Sequence, residues 1–171
     1  EADIAEMEAM VGRTLDYLRE GRDAEPTRPA DLAAILQTLA SDASDAGHEV
    51  AYDGPARVVL PLRRLAAKRA LSNLVENALR HGAPPARLSV RDEGARVVVE
   101  VADSGSGILP AERARAVEPF VQLDAARGRG GSGLGLAIAS RFAEASGGAL
   151  ELGAAPEGGL LARMILPRPL G

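Results

Sequence analysis

The first twenty residues place apolar side chains three or four positions apart. These side chains are Ile4, Met7, Val11, Leu15 and Leu18. Their stripe is too narrow for a core helix of a globular domain, but it suits a seam between two helices. We therefore predict a helix over residues 1–20 that packs on a partner outside this chain. A linker with Gly and Pro follows it, and we place the domain boundary between residues 26 and 27.

The rest of the chain alternates between helical and strand periods. Helices are predicted over 31–46 with Asp31 as the N-cap, over 62–80 ending before Gly82, over 110–117 and over 133–148. Strands are predicted within 48–54 and 56–61, in a hairpin over 86–103, and at 149–155 and 159–167. Because hairpins are frequent, we expect an α/β (α+β) two-layer sandwich in which a mixed, mostly antiparallel sheet is covered by helices on one face.

Composition narrows the class of protein further. The chain is 46% hydrophobic and 26% charged with two Phe, two Tyr and no Trp, which indicates a globular protein with an aliphatic core. A net charge of -4 without a basic run argues against a nucleic-acid partner. The absence of cysteine excludes disulfides and thiolate metal sites. Since the sequence starts at Glu1 rather than Met, we expect it to be part of a longer protein.

Polar side chains interrupt the apolar pattern in the segment NLVENALRHG, residues 73–82. Asn73, Asn77, Arg80 and His81 project from about the same side of the predicted helix. The simplest interpretation is a solvated face. Yet two Asn one turn apart cost helix propensity, and an amide oxygen suits Mg²⁺ that takes its other ligands from phosphates. Arg80 could then hold phosphate oxygens, whereas His81 could equally serve the helix end.

Two glycine-containing segments complete the candidate chemistry. DSGSGI, residues 103–108, follows an apolar strand; it could be a turn, but a carboxylate there can also accept a hydrogen bond from an exocyclic amine. In GRGGSGLGLAI, Gly131, Gly133 and Gly135 alternate at the start of an apolar helix, where free N–H groups favour phosphate. Neither a P-loop nor a dinucleotide-binding pattern fits.

Four segments in this order, NLVENALRHG, DSGSGI, EPFVQLD and GGSGLGLAIA, resemble the N, G1, F and G2 boxes of the ATP-binding domain of bacterial sensor histidine kinases. The resemblance covers residues 30–167, and the sequence pattern is most similar to that of osmosensor kinases of the EnvZ type. It implies the Bergerat fold, which is shared with the gyrase B, Hsp90 and MutL ATPases. The superfamily with this fold is called GHKL. The first twenty residues resemble the end of the dimerisation and phosphoacceptor domain, which makes residues 1–26 its remnant and 27–171 the catalytic domain.

The resemblance also implies site residues. Asn77 would be the Mg²⁺ ligand and Asp103 the partner of the adenine amino group, while Phe120 would anchor a lid over ATP. The other implied nucleotide-binding residues are Asn73, Arg80, His81, Gly105, Gly107, Ile108, Arg127, Gly131, Ser132, Gly133, Leu134, Gly135 and Leu136. No catalytic residue is certain, and Glu76 and Arg80 are the candidates.

The implied reaction is transfer of the γ-phosphate of ATP to a histidine, for relay to a response regulator. The related hydrolases carry a Glu as water-activating base where this chain has Asn73, which favours transfer over hydrolysis, although Glu76 keeps hydrolysis or acceptor activation open. The acceptor motif is absent, and His48 precedes a segment unsuited to helix, so we predict that this chain binds ATP without phosphorylating itself. A free-standing ATPase and a degenerate binding module remain the alternatives. The intact protein would be a homodimeric sensor whose cytoplasmic portion, below a bacterial inner membrane, contains this chain.

Overall fold

The computed structural model describes residues 2–20, 25–121, 123 and 133–169. The helices are α1 (Ala2–Arg19), α2 (Leu32–Asp45), α3 (Arg64–His81), α4 (Arg113–Ala116), which follows a 3₁₀ turn (Pro110–Glu112), and α5 (Gly135–Ala145). The strands are β1 (Arg28–Asp31), β2 (Val50–Asp53), β3 (Val59–Leu62), β4 (Ala86–Asp92), β5 (Arg96–Ala102), β6 (Ala149–Ala154) and β7 (Leu160–Pro167). Apart from β1, each of these elements overlaps the segment predicted for it, although α3 ends one residue later and β3 includes Leu62, which was predicted to be helical.

Five strands form one mixed sheet in the order β2-β4-β5-β7-β6. Only the β2–β4 pair is parallel; the β4–β5, β5–β7 and β6–β7 pairs are antiparallel. The predicted fold class is therefore confirmed. Strand β3 does not join this sheet, because it pairs with β1 in a separate two-stranded antiparallel sheet.

The two faces of the five-stranded sheet differ in chemistry. Alternate residues of β4, β5 and β7 are buried against helices α2, α3 and α5, and the core includes Leu88, Val90, Val97, Val99, Val101, Met164, Leu166, Leu36, Leu71, Leu74 and Phe142. The opposite face carries cross-strand ion pairs, in which Glu100 of β5 bonds Arg91 of β4 and lies 3.2 Å from Arg163 of β7. Such alternation is what period-2 patterning predicts for a sheet covered on one side.

Helix α1 lies outside this core, contacts α5, and forms ion pairs with α3 in antiparallel order, from Arg13 to Glu76 and from Asp16 to Arg69. None of its residues is buried, and Ile4, Met7, Val11, Leu15 and Leu18 are all exposed. Its contacts with the domain come from the opposite, polar face. A partner on the apolar stripe stays a prediction. No helix in the described part of the chain is long and apolar enough to cross a membrane.

The ends of α2 and α3 show different uses of polar and glycine residues. Asp31 caps α2 as predicted, with its carboxylate 3.1 Å from the N–H of Ala33. Helix α3 ends before Gly82, but this glycine has a φ of -93°, which any residue can adopt. The backbone conformation therefore does not require glycine at this position. The reason for glycine lies in the neighbouring site.

Candidate nucleotide-binding site

A buried carboxylate stands directly after β5. Asp103 is 5% exposed, and its Oδ1 accepts hydrogen bonds from the N–H groups of Gly105 at 2.9 Å and Leu160 at 3.2 Å. Its Oδ2 makes no hydrogen bond with any residue that the structure describes. An oxygen without a described partner, on a carboxylate whose other oxygen is fixed, is a candidate acceptor for a ligand.

Glycines from three parts of the chain enclose Asp103. A Cβ atom on Gly82 would lie 2.5 Å from Asp103 Oδ2, and one on Gly159 would lie 2.3 Å from the carbonyl oxygen of Asp103. A Cβ on Gly105 would lie 2.9 Å from the Cα of Gly82. These separations are shorter than van der Waals contact, so only glycine allows the three segments to meet around the carboxylate. Gly107, with a φ of +73°, packs on Gly159 in the same way.

Helix α3 lines the site with polar side chains in different environments. Asn73 is 8% exposed, and its Nδ2 donates a 2.9 Å hydrogen bond to the carbonyl of Arg69. Asn77 is half-buried, and its side chain has no hydrogen bond with a described residue. Its amide oxygen is therefore available to a ligand. His81, the last residue of α3, is half-buried beside Gly82.

Two charged residues of this helix, Arg80 and Glu76, form an ion pair. Arg80 lies 3.3 Å from Glu76, one turn earlier, and Glu76 also bonds Arg13 of α1. Both candidate catalytic residues are thus engaged within the protein. Among the described residues, no group of three or more His, Cys, Asp or Glu could hold a metal ion.

The start of α5 approaches α3 at Asn73. A Cβ on Gly135, the first residue of α5, would lie 3.5 Å from Asn73 Oδ1. Leu134 precedes the helix and provides no side-chain cap, and no described side chain accepts from the first N–H groups. By contrast, the first N–H groups of α2 and α3 are bonded by Asp31 and Glu25. The start of α5 therefore presents the positive end of the helix dipole and N–H groups that have no side-chain cap among the described residues.

The residues on either side of 124–132 are joined through their backbones. The N–H of Phe120 donates a 3.1 Å hydrogen bond to the carbonyl of Gly133. Phe120 is 56% exposed, and its backbone connects the two ends; its role as the anchor of a lid over ATP stays a prediction. A side chain on Gly133 would clash, since its Cβ would lie 2.9 Å from the carbonyl carbon of Phe120.

The remaining predicted residues fall into two groups. Arg127, Gly131 and Ser132 lie outside the described residues. Leu134 and Leu136 are buried, and Ile108 is partly buried against the core, so a role of these three residues in nucleotide binding stays a prediction. Gly82 and Gly159 belong to the site but were not predicted. The only signal for Gly159 was the glycine pair at 158–159, which by itself indicates a turn.

Comparison with known proteins identifies this arrangement. The fold is an α/β sandwich, and Asp103, Asn77 and the start of α5 form its candidate nucleotide-binding site. Residues 63–170 match the family described as histidine kinase-, DNA gyrase B-, and HSP90-like ATPase. The chain belongs to this family.

Individual relatives are sensor kinases. The chain is similar to the sensor histidine kinase GtrS of Pseudomonas aeruginosa, with 36% identity over 97% of the chain and 34% of GtrS. The histidine kinase domain of the Escherichia coli osmosensor EnvZ is 37% identical and has a TM-score of 0.67, covering 87% of the chain and 93% of that domain. Full-length ShkA in complex with AMPPNP gives a TM-score of 0.79 at 29% identity, over 95% of the chain and 36% of ShkA. The EnvZ-type resemblance is thus confirmed, and the chain spans about a third of the length of the curated relatives it matches.

Proposed function

We propose that this chain is the ATP-binding catalytic domain of a two-component sensor histidine kinase. It binds Mg·ATP and transfers the γ-phosphate to a histidine on a phosphoacceptor domain outside this chain, for relay to a response regulator. The observation that carries the proposal is the geometry at Asp103, where one carboxylate oxygen is fixed by two backbone N–H groups and the other is unengaged. An exocyclic amine, such as that of adenine, is the donor that such an oxygen accepts.

The neighbouring groups suit the other parts of Mg·ATP. The amide oxygen of Asn77, which has no hydrogen bond with a described residue, is a hard, neutral ligand of the kind that suits Mg²⁺ with its remaining ligands from phosphates and water. When bound, Mg²⁺ neutralises charge that develops on the phosphates. The uncapped N–H groups at the start of α5 are donors for phosphate oxygens. The AMPPNP bound in the related ShkA structure supports this choice of ligand.

The transfer itself requires little from the side chains of this domain. A neutral imidazole attacks the γ-phosphorus in line, the bond from that phosphorus to the β,γ-bridging oxygen breaks, ADP leaves, and the phosphorylated imidazole releases its ring proton. The domain contributes positioning and charge neutralisation. Hydrolysis is disfavoured because Asn73, whose amide is not a base, stands where related hydrolases have a Glu that activates water.

Helix α1 supports the proposal that the catalytic domain is joined to a dimerisation domain in the intact protein. Its exposed apolar stripe, which includes Ile4, Met7 and Val11, provides a surface for another helix. Its opposite face is bound to α3. We propose that the intact protein is a homodimer and that this chain belongs to the cytoplasmic portion of a bacterial inner-membrane sensor.

Two measurements test the proposed function. Calorimetry with a non-hydrolysable ATP analogue should show Mg²⁺-dependent binding, and its absence would favour a degenerate binding module. Radiolabelled ATP should then label a separately produced phosphoacceptor domain in the presence of this chain, but not this chain alone. Multiple turnovers of phosphate release without an acceptor would instead indicate a free-standing ATPase.

A further inference from the structure

One carboxylate joins α1 to the ATP-binding face of α3. Oε1 of Glu76 accepts from Arg13 of α1 and lies 3.3 Å from Nη2 of Arg80. The side chain of Arg13 is 16% exposed, whereas those of Arg80 and Glu76 are 33% and 42% exposed. Arg13 and Arg80 therefore share a single carboxylate oxygen. Arg13 comes from outside the catalytic domain, whereas Arg80 is one of the candidate phosphate-binding residues of that domain.

The position of Arg13 depends on how α1 is docked. Further along the helix pair, Asp16 lies 3.4 Å from Arg69, and Glu20, fully buried, lies 2.7 Å from Arg63. Tyr17, next to Asp16, contacts α5, where the guanidinium of Arg141 stacks 4.7 Å from the centre of its ring. These contacts occupy one face of α1, so a shift or rotation of the helix would withdraw Arg13 from Glu76.

We propose that Arg13 is a positioning residue for Arg80 and that it acts through Glu76. This inference rests on the proposed function, in which Arg80 contacts the phosphates of ATP. When α1 is docked, Arg13 neutralises Glu76, and Arg80 can leave this carboxylate for a phosphate. When α1 is displaced, Arg13 no longer neutralises Glu76. The full charge of Glu76 then holds Arg80 against the preceding turn of α3, away from the phosphates. The position of α1 thereby sets the affinity for the triphosphate.

Linkage makes the coupling reciprocal, so ATP binding strengthens the docking of α1 to the same degree. The expected size is small, because the Glu76–Arg80 pair is a partly exposed pair one helical turn apart. Such pairs change an equilibrium by about two- to threefold. An effect of this size is measurable by calorimetry.

A double-mutant cycle tests the inference on the whole chain. Dissociation constants for a non-hydrolysable ATP analogue with Mg²⁺ are measured for wild type, Arg13→Ala, Glu76→Gln and the double variant. Arg13→Ala should weaken binding by about two- to threefold in the wild-type background and have no effect in the Glu76→Gln background. Adenosine, which lacks phosphates, should bind wild type and Arg13→Ala equally.

The matched control is Arg19→Ala. Arg19 is exposed on the same helix and forms no ion pair with a described residue, so its removal should leave both affinities unchanged. A merely structural role of Arg13 would weaken adenosine and ATP analogue alike, and its effect would persist with Glu76→Gln. Either result overturns the inference, as does equal binding of the ATP analogue by wild type and Arg13→Ala. Failure of wild type to bind the analogue at all would instead refute the proposed function.

Discussion

The carboxylate of Glu25 receives a 2.7 Å hydrogen bond from the backbone N–H of Leu65. It also accepts from the N–H of Ala66 at 3.0 Å, so a residue of the linker caps the first turn of α3. Arg63, the local N-cap residue, provides no such bond. The linker is therefore attached to the helix that carries the candidate ATP-binding residues, and these contacts cross the domain boundary predicted between residues 26 and 27.

Replacing Glu25 by Ala should lower the free energy of unfolding by about 1 kcal/mol, because two backbone donors at the start of α3 lose their acceptor. Glu25→Gln keeps an amide oxygen as acceptor and should recover part of the loss. Urea denaturation of both variants measures the difference. Equal stability of wild type and Glu25→Ala would contradict a capping role.

A second prediction concerns Gly159, one of the glycines that pack closely against Asp103. Gly159 has a φ of +85°, and a Cβ there would lie 2.6 Å from Asp103 Oδ1. Gly159→Ala should therefore destabilise the domain by about 2 kcal/mol or more, because both strain and overlap must be relieved. It should also weaken adenosine binding by displacing Asp103. Thermal unfolding and calorimetry measure the two effects.

The matched control for this substitution is Gly153→Ala in β6. No atom lies within 4 Å of a Cβ at Gly153, and its φ is not in the left-handed region. This variant should be as stable as wild type or slightly more stable. Similar destabilisation by both substitutions would show that the packing around Asp103 is not the cause.

The helices and the hairpin could be predicted from the sequence because their apolar periods are regular and their partners are local. Strand β1 could not. Its residues, Arg28–Asp31, include a proline and no apolar alternation, and its partner β3 lies about thirty residues away. Backbone pairing of this kind depends on tertiary contacts that no local pattern records.

The candidate site divides in a similar way. Asp103 and Asn77 stood out because an acid after an apolar strand and an Asn inside a helix are locally unfavourable choices that need a reason. Gly159 did not stand out, because a glycine pair before a strand has an ordinary explanation as a turn. Its contact with Asp103 joins residues that are far apart in the chain, and only the fold reveals it.

A third prediction follows from the ion pair of Asp92 and Arg168. The guanidinium of Arg168 donates to both carboxylate oxygens at 2.6 and 3.1 Å and holds the pKa of Asp92 below its usual value. Since the folded-state pKa is lower than the unfolded one, this carboxylate stabilises the fold above its unfolded pKa, about 4, and the contribution is lost as pH falls through the folded value.

Asp92→Asn should therefore make stability fall less steeply on acidification below about pH 4, which unfolding measured from pH 2 to 7 would show. Asp42→Asn is the control, because Asp42 is exposed and its side chain has no hydrogen bond with a described residue. It should keep the steepness of wild type. If Asp92→Asn kept it too, the ion pair would have no part in the acid response.

A fourth prediction tests the role of Asp103 in base recognition. In Asp103→Asn, the amide oxygen must stay at Oδ1, since it accepts from the N–H groups of Gly105 and Leu160. The amide NH₂ then takes the place of Oδ2. It faces the amino group of adenine, and because both groups are donors they cannot form a hydrogen bond. Adenosine affinity should fall by about ten- to a hundredfold, with or without Mg²⁺. Guanosine, which presents a carbonyl acceptor, should lose much less, and an equal loss for both nucleosides would contradict the assignment.

The last prediction separates the metal from the base. Asn77→Ala removes the unengaged amide oxygen of α3, so the affinity for an ATP analogue should become nearly independent of Mg²⁺, while adenosine binding stays as in wild type. Ser72→Ala, an exposed substitution on the same helix, is the control and should keep the Mg²⁺ dependence. Calorimetry in Mg²⁺ and in EDTA measures all three proteins. If Asn77→Ala kept its full Mg²⁺ dependence, or lost adenosine binding as Asp103→Asn should, the metal and the base would not be held by separate residues.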